Sequence, residues 1–312
     1  MKINDLIFGE LLKRRFSVID GTRVWDLADS KLWYLTPEQS KDFIALEHSN
    51  EYNETITQEE NNLIKKHLSD LLSELAGKYY NIIDLGCGDG VKASILIQGL
   101  REKLDIRYCP IDISAFMVRE AIKTIKSVGL DQIIKFKWNV SDFENLENVV
   151  PLLQEPPFEQ NVFLLLGNTF GNFDCNAITH SISQSMLAND YLLVGNSLIV
   201  DENGDPSNSY NDRMVSDFLV KVLEQIGLSE EDVTYGTKFA NSRVECFFKL
   251  NADKEIDYLG KRLSFKAGDI ILVAYSYRYQ QKDFEEAFTK FFPSCRFFYN
   301  DSKSYGLALC EK

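Results

Sequence analysis

The sequence predicts an α/β protein: a largely parallel sheet flanked by helices, an antiparallel hairpin at its carboxyl end, and a second, smaller α+β region. Three observations carry that expectation. Asn81-Ile82-Ile83-Asp84-Leu85-Gly86-Cys87-Gly88-Asp89-Gly90-Val91-Lys92 reads as a buried strand, a glycine-rich turn and the start of a helix running on through Ala93 to Ile97. Apolar strand-like runs then recur and end in acids, at Asp84, Asp112 and Asp142. Finally, a helical stretch over 282–292 is followed by two strand-like runs joined by Asn300-Asp301-Ser302-Lys303-Ser304.

Composition is compatible with such a core and excludes several classes. The 312 residues suffice for one large domain or two ordinary ones. Hydrophobic residues at 45% and aromatics at 12% support a packed interior instead of disorder. A net charge of −13 argues against a nucleic-acid surface, which needs clustered Lys and Arg. The six cysteines are dispersed without Cys-x-x-Cys spacing, and Met1 to Asp5 lacks an apolar run, so reduced thiols in a cytoplasmic protein are expected. None of the three histidines has a partner at metal-ligand spacing, so neither a metal nor a histidine-based triad is expected. No apolar run approaches the roughly 18 residues of a membrane span.

Taken in order, residues 1–60 set aromatics among turn residues, as in Val24-Trp25-Asp26-Leu27, Leu32-Trp33-Tyr34 and Glu51-Tyr52-Asn53. They precede the sheet and need a role of their own, such as a cap over a site. Thr57-Gln58-Glu59-Glu60 has the form of a capping box, opening a helix with Leu63, Ile64, His67, Leu68, Leu71, Leu72 and Leu75 at helical spacing and a stop near Gly77. The turn after the first strand has glycines at 86, 88 and 90 with an acid at the strand end. That is neither the Gly-x-Gly-x-x-Gly of a dinucleotide site nor the Gly-Lys-Ser/Thr of a triphosphate loop.

The second strand, Ile106 to Ile111, ends in Asp112 about 20 residues past that turn, where α/β folds place a carboxylate for ribose hydroxyls. A helix follows over 116–125. The third strand, 133–140, ends in Ser141-Asp142-Phe143, suited to an adenine edge and face. One strand-end Asp alone is usually a helix cap. Three in register after a glycine turn point to a nucleoside pocket. The fourth strand, Val162 to Leu166, runs into Gly167-Asn168-Thr169-Phe170-Gly171-Asn172-Phe173, either an open polar loop beside a reactive centre or a turn rich in Gly and Asn for backbone reasons. After a fifth strand over 191–198 the alternation breaks: a loop, a helix over 210–226, and strand-like runs at 242–250, 257–265 and 270–276 form an inserted region expected to pack with residues 1–60.

Asp84-Leu85-Gly86-Cys87-Gly88 with Lys92, Pro110-Ile111-Asp112-Ile113-Ser114, Leu166 to Phe173, and Ser209-Tyr210-Asn211-Asp212 together resemble the histidine-specific Nα-methyltransferases of ergothioneine biosynthesis. Glu51-Tyr52 with Thr55 and Glu59, and Arg243-Val244-Glu245, are similar to further segments of that family. The resemblance implies the Rossmann-like sheet of class I S-adenosylmethionine (SAM)-dependent methyltransferases, over 61–200 and 277–312, with a smaller α+β substrate-capping domain over 1–60 and 201–276. It implies SAM held by Asp84, Gly86, Gly88, Lys92, Asp112, Asp142 and Phe143, with Lys92 on its carboxylate. It further implies that Tyr52, Gly167, Asn172 and Tyr210 hold an amino-acid substrate, with Trp25 near its amine. Asn172 and Tyr210 are then the catalytic positions, acting by placement and not as bases.

The chain also departs from that family. Its substrate strand reads Glu-x-Ser-x-Lys, with Glu and Ser on the imidazole; here the run is Ala274-Tyr275-Ser276-Tyr277-Arg278, and a methionine after Arg-Ile-Glu is Cys246. Loss of a charge-assisted hydrogen bond removes roughly tenfold or more of preference for histidine. The expected activity is N-methylation of an amino acid or small amine other than histidine, with Tyr275, Tyr277, Trp25 and Trp33 favouring an aromatic or apolar side chain. An O- or S-methyltransferase, or an inactive SAM-binding module, fits the same residues. The expected partner is a small molecule, without nucleic acid or membrane, and the chain is expected to act as a monomer.

Overall fold

The computed structural model describes residues 3–48, 58–75, 77–135, 139–140, 146–200 and 205–312. Helix α1 (Asp5–Arg14) opens under Asn4, whose side-chain oxygen accepts from the Leu6 and Ile7 amides. A hairpin of β1 (Phe16–Ile19) and β2 (Thr22–Asp26) follows, then α2 (Pro37–Glu47). The single helix expected up to Gly77 is two, α3 (Gln58–Lys66) and α4 (Leu68–Glu74). The break falls at His67, whose ring meets Asp70 at 3.0 Å and packs on Phe298. Long-range packing of a mid-helix aromatic ring is invisible to periodicity.

The βα alternation then runs as β3 (Tyr79–Leu85), α5 (Val91–Leu100), β4 (Asp105–Ile111), α6 (Ala115–Ser127), α7 (Leu146–Leu153), β5 (Gln160–Leu165), α8 (Cys175–Ser185) and β6 (Tyr191–Ser197). The strand expected over 133–140 is reduced, among the described residues, to isolated bridges of Ile133 with Tyr108 and Val140 with Asp112. Helix α9 (Arg213–Glu224) begins three residues later than expected, because Asp212 caps it and Tyr210 belongs to a 3-10 turn over 206–210. Next come β7 (Val233–Ala240), β8 (Arg243–Leu250), β9 (Lys254–Tyr258), β10 (Lys261–Phe265) and β11 (Ile270–Tyr277). The expected 257–265 strand is thus a β9–β10 hairpin turning at Leu259-Gly260, both at positive φ. The chain closes with α10 (Gln281–Thr289), β12 (Ser294–Tyr299) and β13 (Tyr305–Glu311).

These elements form two compact units. One comprises residues 47–202 and 279–312, the other 1–46 and 203–278. The sequence placed the corresponding changes at 60/61, 200/201 and 276/277. The larger unit carries a six-stranded sheet in the order β12-β13-β6-β5-β3-β4. Its β4, β3, β5 and β6 are parallel, and β13 is antiparallel to both β6 and β12. The order reverses between β3 and β5, and the crevice at the carboxyl ends beside such a switch point is where open α/β sheets take ligands. Ile82, Ile97, Tyr108, Leu164 and Leu193 fill its core. The smaller unit is organised by a sheet in the order β1-β2-β11-β8-β7, in which β2 pairs with β11 in parallel and so joins two distant parts of the chain. Ile7, Leu27, Val222, Val244, Phe248 and Phe265 lie in its core.

Candidate active site

In the larger unit the tips of β3 and β4 are tied together before any side chain is considered. The Gly86 and Cys87 amides both donate to the Ile111 carbonyl, at 2.8 and 3.3 Å. The turn after β3 then bends through Gly86, Gly88 and Gly90, all at positive φ, and delivers the chain to α5. Two of these glycines do different work. A Cβ on Gly90 would stand 2.8 Å from the Ala121 Cα of α6, so this glycine seats two helices together. A Cβ on Gly88 would meet nothing within 4 Å, so its backbone faces open space at the strand tips.

Two carboxylates sit beside that space. Asp112 is 7% exposed; it accepts from the Ser114 amide at 2.8 Å and the Gly88 amide at 3.3 Å. Burial pushes its carboxyl up to about 6, the amides of Ser114, Gly88 and Ile113 pulling the other way. Asp84 is 4% exposed and accepts from the Tyr108 hydroxyl at 2.6 Å. Burial, opposed by that hydrogen bond and aided by the charge of Asp112, takes it up to about 7. Once ionised, two buried acids at the strand tips could accept hydroxyl donors and balance the cationic charge of a ligand.

The loop after β5 carries the second constellation. The Gly167 amide donates to both carboxylate oxygens of Glu60, at 3.1 and 3.0 Å. Glu60 is fully buried, and burial raises its carboxyl above the ordinary range while the charge of Lys92 opposes that. Lys92 forms an ion pair with Glu47, and its ammonium lies 3.1 Å from where a Gly167 Cβ would stand. From the sequence pattern Glu60 has only a capping role and Glu47 is unmarked. The one available signal was an acid at a helical position that the apolar stripe would bury. Asn168 bridges to Ser197, donating to its Oγ at 2.9 Å and accepting from its amide at 2.7 Å. Asn172 is half-buried at the end of a 3-10 turn over Thr169–Asn172, and its carboxamide meets no protein partner among the described residues. Tyr52, Asp142 and Phe143 lie outside the described residues.

In the smaller unit Tyr210 and Ser276 are brought together, hydroxyl to hydroxyl at 2.7 Å, and Arg278 donates to the Tyr210 hydroxyl. Trp25 departs from the role implied for it: the indole N–H goes to Asp269 at 2.9 Å and the ring packs on Phe16 and Phe265, so it belongs to the core. Trp33 likewise donates to the Val273 carbonyl and is buried. Tyr275 donates to Asp26 with the Arg243 guanidinium 3.7 Å above its ring, and Tyr277 accepts from Arg243. The polar atoms of these aromatics are thus engaged within their own unit. Ala274 and Cys246 face each other across β11 and β8, 6% and 1% exposed. The sequence reading missed Arg278, although it stands where the resembling family has a lysine.

A family model described as histidine-specific SAM-dependent methyltransferase matches residues 31–312. The chain belongs to that family. It is therefore a SAM-dependent methyltransferase, with the α/β sheet just described. A search of curated proteins gave no match. Among solved structures it is similar to Streptomyces venezuelae DesVI, at 12% identity over 89% of this chain and 99% of that one, with a TM-score of 0.41. It is also similar to the PH0226 protein of Pyrococcus horikoshii OT3, at 13% identity over 88% and 99%, TM-score 0.45. A DhpI–SAH complex matches at 13% identity over 88% and 95%, TM-score 0.41. Among the described residues no helix of the methyltransferase is long and apolar enough to cross a membrane.

The residues present fit SAM. Buried Asp84 and Asp112 could answer its cationic charge and ribose hydroxyls, the open backbone at Gly88 leaves room for a ligand close to the main chain, and the amino end of α5 follows directly.

Proposed function

We propose that this methyltransferase transfers a methyl group to the amine of an amino acid or related small molecule other than histidine. The observation that carries the reading is the pair of hydroxyls of Tyr210 and Ser276 in the smaller unit, with an alanine at position 274. These groups donate and accept hydrogen bonds at neutral pH and suit a carboxylate and an amine. An oxygen acceptor calls for a nearby base. Cys246, beside Tyr235, is a poor one, because burial pushes its thiol up to about 11.

When bound, SAM supplies a methyl group on a sulfonium, a leaving group that needs no activation. The work left to the protein is placement, with the acceptor nitrogen held in line at about 3–3.5 Å. Asp112 and the Gly88 amide would hold the ribose, Asp84 would balance cationic charge, and Lys92 would meet the carboxylate. The Glu47 pairing of Lys92 neutralises that lysine until a competing carboxylate arrives. Tyr210 would orient the acceptor by hydrogen bonding, and the amine would lose its proton to solvent before attack.

The test is a panel of the common amino acids incubated with SAM and read by mass spectrometry. A mass gain on the amine of at least one of them, with histidine a poor acceptor, is expected; methylation on oxygen or sulfur, or none at all, contradicts the reading. A pH dependence follows from the buried acids. Asp112 must be ionised to accept ribose hydroxyls, so SAM affinity is expected to climb with pH, to level off above about 7, and to fall roughly tenfold per unit well below 6. Because both acids hold protons more tightly folded than unfolded, the ligand-free protein is expected to lose stability as pH rises through about 4 to 7. Calorimetry in buffers spanning pH 5 to 8 checks the first trend, and thermal melts check the second.

A further inference from the structure

Arg278 follows β11 and is 8% exposed. A guanidinium that deep needs an anion, because leaving it uncompensated costs several kcal/mol in general. Arg278 has none among the described residues. Its Nη2 donates to the Tyr210 hydroxyl, the Tyr210 ring lies 5.1 Å away, and its backbone amide donates to the Ser242 carbonyl at 2.8 Å. Its Nη1 is sealed from solvent and meets no acceptor among the described residues. Carboxylates on adjoining elements are spoken for: Glu245 on β8 by Arg243 and Lys238, each at 2.9 Å, and Asp212 by the Met214 amide at the start of α9. The arginine donates into Tyr210, and the Tyr210 and Ser276 hydroxyls share a hydrogen bond at 2.7 Å in which either can donate, so one hydroxyl proton stays available to a ligand. Tyr210 and Ser276 are only half-buried.

We propose that Arg278, Tyr210 and Ser276 form a carboxylate-binding corner that makes this methyltransferase select an acidic acceptor. The corner offers a fixed charge and two hydroxyls, the donor set that a carboxylate satisfies with charge-assisted hydrogen bonds. The identity of the ligand rests on the amino-acid reading above; its charge rests on Arg278 alone. The carboxylate is either the one beside the amine or a second one on the side chain, and the test separates these.

Binding of the common amino acids, with acetate and succinate as carboxylates lacking the amine, is measured by calorimetry on the full chain. The best binder is then compared with its α-amide and, where it has one, its side-chain amide. An acid is expected to bind at least tenfold more tightly than its amide. Loss on α-amidation assigns the corner to the main-chain carboxylate, and loss on side-chain amidation to a second one. Arg278→Gln should erase the preference, and Arg278→Lys should restore part of it. Because no carboxylate among the described residues balances this cation, Arg278→Met should melt at or above the unmutated protein, which an arginine kept for stability would not allow. If no carboxylate in the panel binds, if acid and amide bind alike, or if Arg278→Gln keeps the preference, the corner is disproved. Mass spectrometry on the same mixtures keeps the two readings apart. Methylation without an acid preference sinks the corner alone, and an acid preference without methylation sinks the proposed function alone.

Discussion

Asp112→Ala is expected to weaken SAM binding by at least a hundredfold. The carboxylate would accept both ribose hydroxyls, and each hydrogen bond to a charged group contributes about 1.5–3 kcal/mol. Two of them give about 3–6 kcal/mol, or roughly two to four powers of ten. Alanine would also strip acceptors from the Ser114 and Gly88 amides, which Asp112 now serves at 2.8 and 3.3 Å. Asp112→Asn is therefore the better paired variant, since it keeps one acceptor for those amides and removes the charge. The account expects the asparagine variant to fold, to show the unmutated circular dichroism spectrum, and still to lose most of its affinity. Affinity kept within threefold in both variants would place the ribose elsewhere.

Gly90→Ala is expected to be strongly destabilising for the larger unit. The residue sits at φ 76, where a side chain costs about 1–2 kcal/mol, and the new Cβ would stand 2.8 Å from backbone on α6. The helix backbone cannot rotate away as a side chain would, so α5 and α6 must separate. A loss of about 2–4 kcal/mol is expected, visible as a fall in melting temperature of roughly 5–15 °C. Gly88→Ala makes the instructive contrast. It carries similar φ strain at 53° but meets no atom within 4 Å, so its stability cost should stop near 1–2 kcal/mol. Its methyl group would project over the strand tips, where SAM binding should suffer more than folding. Equal melting temperatures for the two variants would refute the division of labour between these glycines.

What the sequence disclosed and what it withheld follow a physical pattern. The strand, glycine turn and helix at 81–97 were legible because local backbone demands and a buried strand act over a dozen residues. The acids Asp84 and Asp112 were legible because a strand end fixes where its next residue points. Glu60 was not, because its partner, the Gly167 amide, lies more than a hundred residues away. For the same reason the Lys92–Glu47 pair gave no local sign. The parallel pairing of β2 with β11, which builds the smaller unit, joins segments at opposite ends of the chain and leaves no short-range trace. Trp25 and Tyr275 show the reverse error. Aromatic residues near a suspected site invite a binding role, yet the indole N–H of Trp25 and the hydroxyl of Tyr275 both find buried or half-buried acids, Asp269 and Asp26, inside their own sheet.

The most direct measurement is a calorimetric titration of the unmutated protein with SAM near pH 7.5. The account predicts a saturable heat with one site per chain, abolished in Asp112→Asn. An unmutated protein that gives no saturable heat would contradict the claim that the β3 and β4 tips form a nucleoside site.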